Sequence, residues 1–157
     1  MPDPDARHLD RCIALAEEAL EAGDEPFGSV LVGADGRVLR EARNRVHTGD
    51  PTRHPEFELA RWAAETLTAE DRRGAIVYTS GEHCPMCSAA HAWAGLGRIV
   101  FASSAEQLSQ WMDELGVPPS PVAPLGIERI APGVPVTGPV EGFDLRVRDL
   151  HRRRHSR

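Results

Sequence analysis

Between Asp5 and Ala22 the apolar residues Leu9, Cys12, Ile13, Ala16 and Leu20 recur at steps of three and four, the period of a helix with one buried face, and Gly23 supplies a stop. The run GSVLVGADGRVLREARN then gives two β-rich pieces around Ala34-Asp35-Gly36, and the Asp-Gly pair predicts a hairpin. HPEFELARWAAETL predicts a second helix, with Thr52 as its capping candidate and Leu59, Trp62, Ala63 and Leu67 along one face. Beyond it the pattern alternates. AIVYTS reads as a buried strand, CPMCSAAHAWAGL as a helix ended by Gly95 or Gly97, RIVFAS as a strand and AEQLSQWMDELG as a helix. This order predicts an α/β sheet covered by helices on both faces. From Gly116 to Pro139 the chain is rich in Pro and Gly around the short β-like pieces IERI and VPVTG, which suits an edge strand or a covering loop. FDLRVRDLHRRRHSR begins as a short helix and is expected to finish as a solvated, Arg-rich tail.

A length of 157 residues fits one core, so residues 1–157 are read as a single domain whose last part, 116–157, is covering segment, short helix and tail. With 41% hydrophobic and 27% charged residues the composition is that of a folded chain. Eighteen basic residues stand against 24 acidic ones, and the net charge of −6 argues against a duplex-binding face while leaving room for a local basic patch. Every basic residue other than His is Arg, which excludes Schiff-base chemistry and a Walker A phosphate loop. Three Cys cannot all pair within one chain, and two of them lie three residues apart, which points to metal or thiol chemistry in a reducing compartment. The start, MPDPDARHLDR, has no apolar leader pattern, and no apolar run is long enough to span a bilayer, so a cytoplasmic protein without a membrane partner is expected.

The chemistry concentrates in His54, Glu56, Cys84 and Cys87. Cys84 and Cys87 are i and i+3 at a predicted helix start, where two thiolates on one face can hold one ion and where the helix dipole favours their ionisation. His54 adds an imidazole, giving one Zn²⁺ per chain with three protein ligands and a fourth position free for water. Two thiolates cancel the charge of the ion, so a base beside it is required, and Glu56 is placed for that. His54 and Glu56 converge only if His54 lies at or before the first helical turn, and Pro55 marks such a start.

HPE followed thirty positions later by CPMC resembles the zinc-dependent deaminase superfamily, which includes cytidine deaminases, bacterial guanine deaminases and tRNA adenosine deaminases. EPFGSVLV, Asn44 in RN, DPT before HPE, YTS before the cysteines and CPMCSAAHAWAGLGRIVFA are similar to the guanine and tRNA deaminase branch in order and spacing, over roughly the first two thirds of the chain. The resemblance implies a three-layer α/β/α sandwich with a sheet of about five strands. It also implies a homodimer and hydrolytic deamination, with Glu56 carrying protons between water, ring nitrogen and leaving amine. It implies as substrate a small heterocyclic base, guanine-like, isocytosine or an aminotriazine, with nucleic acid the less favoured partner. The alternatives are a tRNA adenosine deaminase and a non-catalytic zinc module closed by a fourth ligand. Two residues depart from the pattern: His83 stands where Pro is usual, and Pro55 stands where Ala is common, which removes a backbone N–H.

Other residues carry two readings each. Asn44 belongs in the pocket by resemblance, and Phe27 is either a pocket wall or simply buried. Trp93 either lines the pocket or does not, whereas Trp62, Trp111 and Cys12 read as core. Asp113 and Glu114 are the nearest acidic candidates for contact with a base, or a plain helical surface. His91, four residues past Cys87, is a packed helical His, a fourth ligand or a base for a thiol, and His83 is an indirect donor to the ligands or a loop residue.

Overall fold

The computed structural model describes residues 3–156; Met1, Pro2 and Arg157, at the ends of the MPDPDARHLDR and Arg-rich segments read above, lie outside them. Eleven elements build the fold: α1 (Pro4–Glu21), β1 (Gly28–Val32), β2 (Val38–Arg43), α2 (Pro55–Thr66), α3 (Ala69–Gly74), β3 (Ile76–Gly81), α4 (Pro85–Ala94), β4 (Ile99–Ser103), α5 (Ala105–Glu114), β5 (Val136–Thr137) and α6 (Phe143–His155). The sheet order is β2-β1-β3-β4-β5, antiparallel from β2 through β3 and parallel from β3 through β5.

Alternation along the inner strands divides the core in two. Val30, Val32, Tyr78, Val100 and Ala102 pack with Leu9, Ile13, Ala16, Trp111, Val147 and Leu150 of α1, α5 and α6. Leu31, Val77, Ile99 and Phe101 pack with Leu59, Ala60 and Ala63 of α2. The result is the expected three-layer α/β/α sandwich with five strands. The layers approach closely at Gly28, where a Cβ would stand 2.4 Å from the Cys12 carbonyl oxygen. Gly95, at φ +73, ends α4 in the left-handed region that β-carbons disfavour.

Local chemistry corrects four expectations. His54, not Thr52, is the N-cap residue of α2, because the Thr52 hydroxyl and N–H both donate to Asp50. The six-residue α3, capped by Thr68, was not foreseen in a stretch with no apolar periodicity. IERI forms a 3₁₀ turn at Ile127–Arg129 with only Ile127 buried, while the VPVTG piece supplies β5 at the sheet edge. The Arg-rich segment is helical through His155, with Arg146 and Arg153 paired to Asp10 and Glu17 of α1 and Arg154 to Glu25.

His151 on α6 is buried between the rings of Phe27 (centroids 5.1 Å apart) and Trp111 (6.2 Å), with no hydrogen-bond partner for either ring nitrogen among the described residues. Burial, with a smaller contribution from His155, depresses its pKa from 6.5 to about 3. Below pH 6.5 the unfolded chain therefore takes up a proton that the folded chain refuses until about pH 3. The contribution is intact above the unfolded value and is lost as pH falls, at up to about 1.4 kcal/mol per unit. Urea midpoints are expected to drop between pH 7.5 and 5, and His151→Leu to flatten that slope; equal slopes in the two proteins would contradict the assignment.

Candidate functional site

The helices α2 and α4 begin alike. Each has a metal-binding residue type at the N-cap and Pro at the first helical position: His54 then Pro55, Cys84 then Pro85. Pro fixes the entry of each chain into its helix, and the two N-termini meet beside the ends of β1 and β3. Cys87, one turn into α4, is fully buried, and Cys84 and His54 are half-buried.

The Nδ1 of His54 lies 3.5 Å from Cys84 Sγ and 3.6 Å from Cys87 Sγ. A tetrahedral zinc with Zn–S of about 2.3 Å and Zn–N of about 2.0 Å separates sulfur and nitrogen by about 3.5 Å. The three ligand atoms, all within 4.8 Å of one another, thus have the spacing of a tetrahedral face, and two soft thiolates with an imidazole suit zinc. Among the described residues no fourth His, Cys, Asp or Glu joins the group, so the closed structural module has no support. His91 is directed elsewhere: its Nε2 donates to the Gly97 carbonyl at 2.7 Å. His83 is the loop residue of the two readings: it lies between β3 and α4, buried and edge-on to His91 with centroids 5.3 Å apart, and among the described residues neither ring nitrogen has a hydrogen-bond partner.

The two thiols are hydrogen-bonded to each other. Hydrogen bonding to Cys87, supported by His54, holds Cys84 down at about 4, and the same bond with burial pushes Cys87 up. His54 is raised chiefly by its bond to Cys84.

Glu56, at the second helical position of α2, is buried, and burial raises its pKa against the opposing Thr79 hydrogen bond and His54 charge. Its Oε1 accepts from Ser29 Oγ at 3.1 Å and Thr79 Oγ1 at 2.8 Å. Neither hydroxyl was singled out from the sequence. The signal was there: Ser29 and Thr79 occupy the inward slots two residues from Leu31 and Val77 on strands otherwise apolar on that face.

Asn44 is buried at the end of the β1–β2 ladder, its N–H donating to the Phe27 carbonyl, and the next residue, Arg45, donates to Arg53 beside His54. Phe27 lies against Gly81, where a Cβ would come within 3.3 Å of its ring, and against His151 on its other side. Both therefore stand at the same end of the sheet as the metal ligands. Trp93 does not: it is 91% exposed near the end of α4. Asp113 and Glu114 are exposed on α5, Glu114 accepting from Gln110. Trp62 is half-buried under the Arg40 guanidinium, 5.4 Å from the ring centroid, and Cys12 and Trp111 are core residues as expected. Another side chain that sequence reasoning missed is Glu82, between β3 and Cys84, whose two oxygens accept from Ala105 and Ile127 N–H groups and so brace the metal loop.

Comparison with known proteins agrees with this chemistry. Residues 2–103 match the cytidine and deoxycytidylate deaminase zinc-binding region. The chain is 34% identical over 116 residues to a probable cytosine deaminase of Schizosaccharomyces pombe, covering 74% of this chain and 70% of that one. It is 41% identical over 97 residues to a guanine deaminase of Bacillus subtilis, covering 60% and 62%. It is 35% identical over 96 residues to a tRNA-specific adenosine deaminase of Agrobacterium fabrum, also 60% and 62%. In fold, the guanine deaminase of Nitrosomonas europaea superposes with a TM-score of 0.73 at 21% identity, over 100% of this chain and 87% of that one. Family match, ligand set and buried Glu56 agree, and the chain belongs to the cytidine and deoxycytidylate deaminase family as a zinc-dependent hydrolytic deaminase.

Proposed function

We propose that the substrate is a free amino-heterocycle of the guanine, isocytosine or aminotriazine class, deaminated with release of ammonia. The observation that carries this reading is the orientation of Asn44. Its Oδ1 accepts from the N–H groups of Glu25 (3.3 Å) and Val46 (3.1 Å), which fixes the amide against a flip and leaves only Nδ2–H donors for a ligand. A base edge with a carbonyl or a bare ring nitrogen satisfies those donors. Phe27 supports the reading as a flat apolar wall at the same sheet end.

His54, Cys84 and Cys87 would hold the zinc, which would supply the Lewis acidity that makes water a nucleophile for the ring carbon bearing the amine. Glu56 accepts one proton from that water and delivers it to the ring nitrogen, then accepts a second from the new hydroxyl on the ring carbon and delivers it to the departing amine, and so is left as it began. Its burial favours the protonated form it must adopt midway. Water is consumed, the C–N bond breaks, a carbonyl replaces the amine and ammonia leaves.

A tRNA substrate is the second reading, and the charge distribution weighs against it. The net charge is −6, and three arginines of α6 that could meet phosphates are paired to acidic groups of the chain itself. The test is ammonia release by zinc-loaded protein across guanine, isocytosine, cytosine, adenine, aminotriazines, their nucleosides and a tRNA anticodon stem. A free base is expected to be turned over, and Asn44→Ala to lower its kcat/KM about ten- to a hundredfold. Turnover of the tRNA stem with silence on every base would overturn the reading. Activity on other bases but not on guanine would trace to Pro55, which has no N–H to offer a substrate carbonyl.

A further inference from the structure

We propose that Ser29 and Thr79 together are positioning residues for Glu56, a cradle of two hydroxyls that fixes one carboxyl oxygen and so orients the other for proton transfer. The proposal rests on the reading of Glu56 as the proton carrier. Ser29 on β1 and Thr79 on β3 are directly opposite in the antiparallel register. Their hydroxyls are 2.9 Å apart, and both reach the same atom, Glu56 Oε1, from the α2 side of the sheet.

Three features separate this from incidental packing. Ser29 and Thr79 are both wholly buried on a face whose neighbouring slots are apolar, and a buried hydroxyl there is costly unless it is hydrogen-bonded. Two hydroxyl protons serve three acceptors, Glu56 Oε1, Thr79 Oγ1 and the Gly81 carbonyl, which lies 3.0 Å from Thr79 Oγ1. A carboxylate is the strongest of these acceptors, so Oε1 draws both protons. Finally, the donors sit on central strands and not on loops, so their spacing is set by the β1–β3 ladder. A free Glu side chain has three rotatable bonds; held at Oε1 from two strands, it keeps one geometry, and Oε2 has neither hydroxyl as partner. Proton transfer is steeply sensitive to such misplacement.

The test compares zinc-loaded wild type, Ser29→Ala, Thr79→Val and Thr79→Ser. In crystals, the wild-type Glu56 carboxyl is expected in a single orientation on both hydroxyls, and in Thr79→Val it is expected to turn or to split between orientations. With the base from the panel that wild type turns over fastest, Thr79→Val should lower kcat about ten- to a hundredfold and Ser29→Ala about tenfold, each with KM within about twofold and zinc still at one per chain. Thr79→Ser, which keeps the hydroxyl, should return to within about threefold of wild type. In a Glu56→Gln background, Thr79→Val should change the residual rate by less than about twofold. An unmoved Glu56 in Thr79→Val crystals, an unchanged kcat, a KM that moves with kcat, or a Thr79→Ser variant as impaired as Thr79→Val would each overturn the proposal. If wild type turns over no base in the panel, it is the substrate reading that has failed, and the crystals still decide the role of the cradle.

Discussion

Glu56→Gln is expected to keep zinc at one per chain, to melt within about 2 °C of wild type and to lose about 10³-fold or more in ammonia release. The substitution keeps the shape of the side chain and an oxygen that can accept from Ser29 and Thr79, so the buried network survives. On the proposed mechanism, what it removes is the ability to take protons from water and from the new hydroxyl and pass them to the ring nitrogen and the amine. The metal ligands are untouched, because Glu56 is not among the three atoms that form the tetrahedral face. Zinc analysis and an ammonia assay on the same preparation decide the matter, and near-normal turnover would remove Glu56 from its role.

Loss of a thiolate should act differently, through the metal. Cys84→Ala and Cys87→Ala are expected to bind no zinc at micromolar concentration and to show no turnover. If wild type is saturated at a thousand times its dissociation constant, bound metal adds about 4 kcal/mol to stability. At this chain length each kcal/mol moves Tm by about 2–4 °C, so the variants should melt roughly 8–16 °C lower. Cys87→Ala should be the worse, since its sulfur is fully buried and Ala leaves a void, whereas Cys84 is half-buried. Excess chelator should bring wild type down to nearly the Tm of Cys84→Ala. A gap that persists in chelator would mean that the cysteines stabilise by packing alone.

The layers of the fold were legible because three inner strands are short apolar runs, α1 and α2 carry apolar residues at helical spacing, and Gly95 marks the end of α4. The ligand set was legible because each pair lies within three or four residues, where helical geometry is local. Orientation about a helix axis was legible too, but only once one inward residue is fixed. With Trp111 inside, Asp113 lies about 200° around the helix and faces out, whereas Glu114 lies only about 60° from Trp111 and its exposure was not legible from the period. With Cys87 and His91 inside, Trp93 is about 240° from Cys87 and faces out as well. The helical course of the Arg-rich segment was not legible, because its partners Asp10 and Glu17 are 136 residues away in sequence. The hydroxyls of Ser29 and Thr79 needed the strand register to become a pair, and the register is a tertiary fact.

The sheet has two free margins, and each is closed to a further strand. On β2, Arg40 and Glu41 stand exposed with Arg43 beside them, and charge along a margin repels an incoming strand. At the opposite margin β5 is only two residues long and is flanked by Pro135 and Pro139, which have no N–H to donate. Fibrous growth by strand addition is therefore blocked at both ends of the sheet. What the fold leaves open to solvent is instead on a helix: Trp93 on α4 is the largest of the exposed apolar side chains among the described residues.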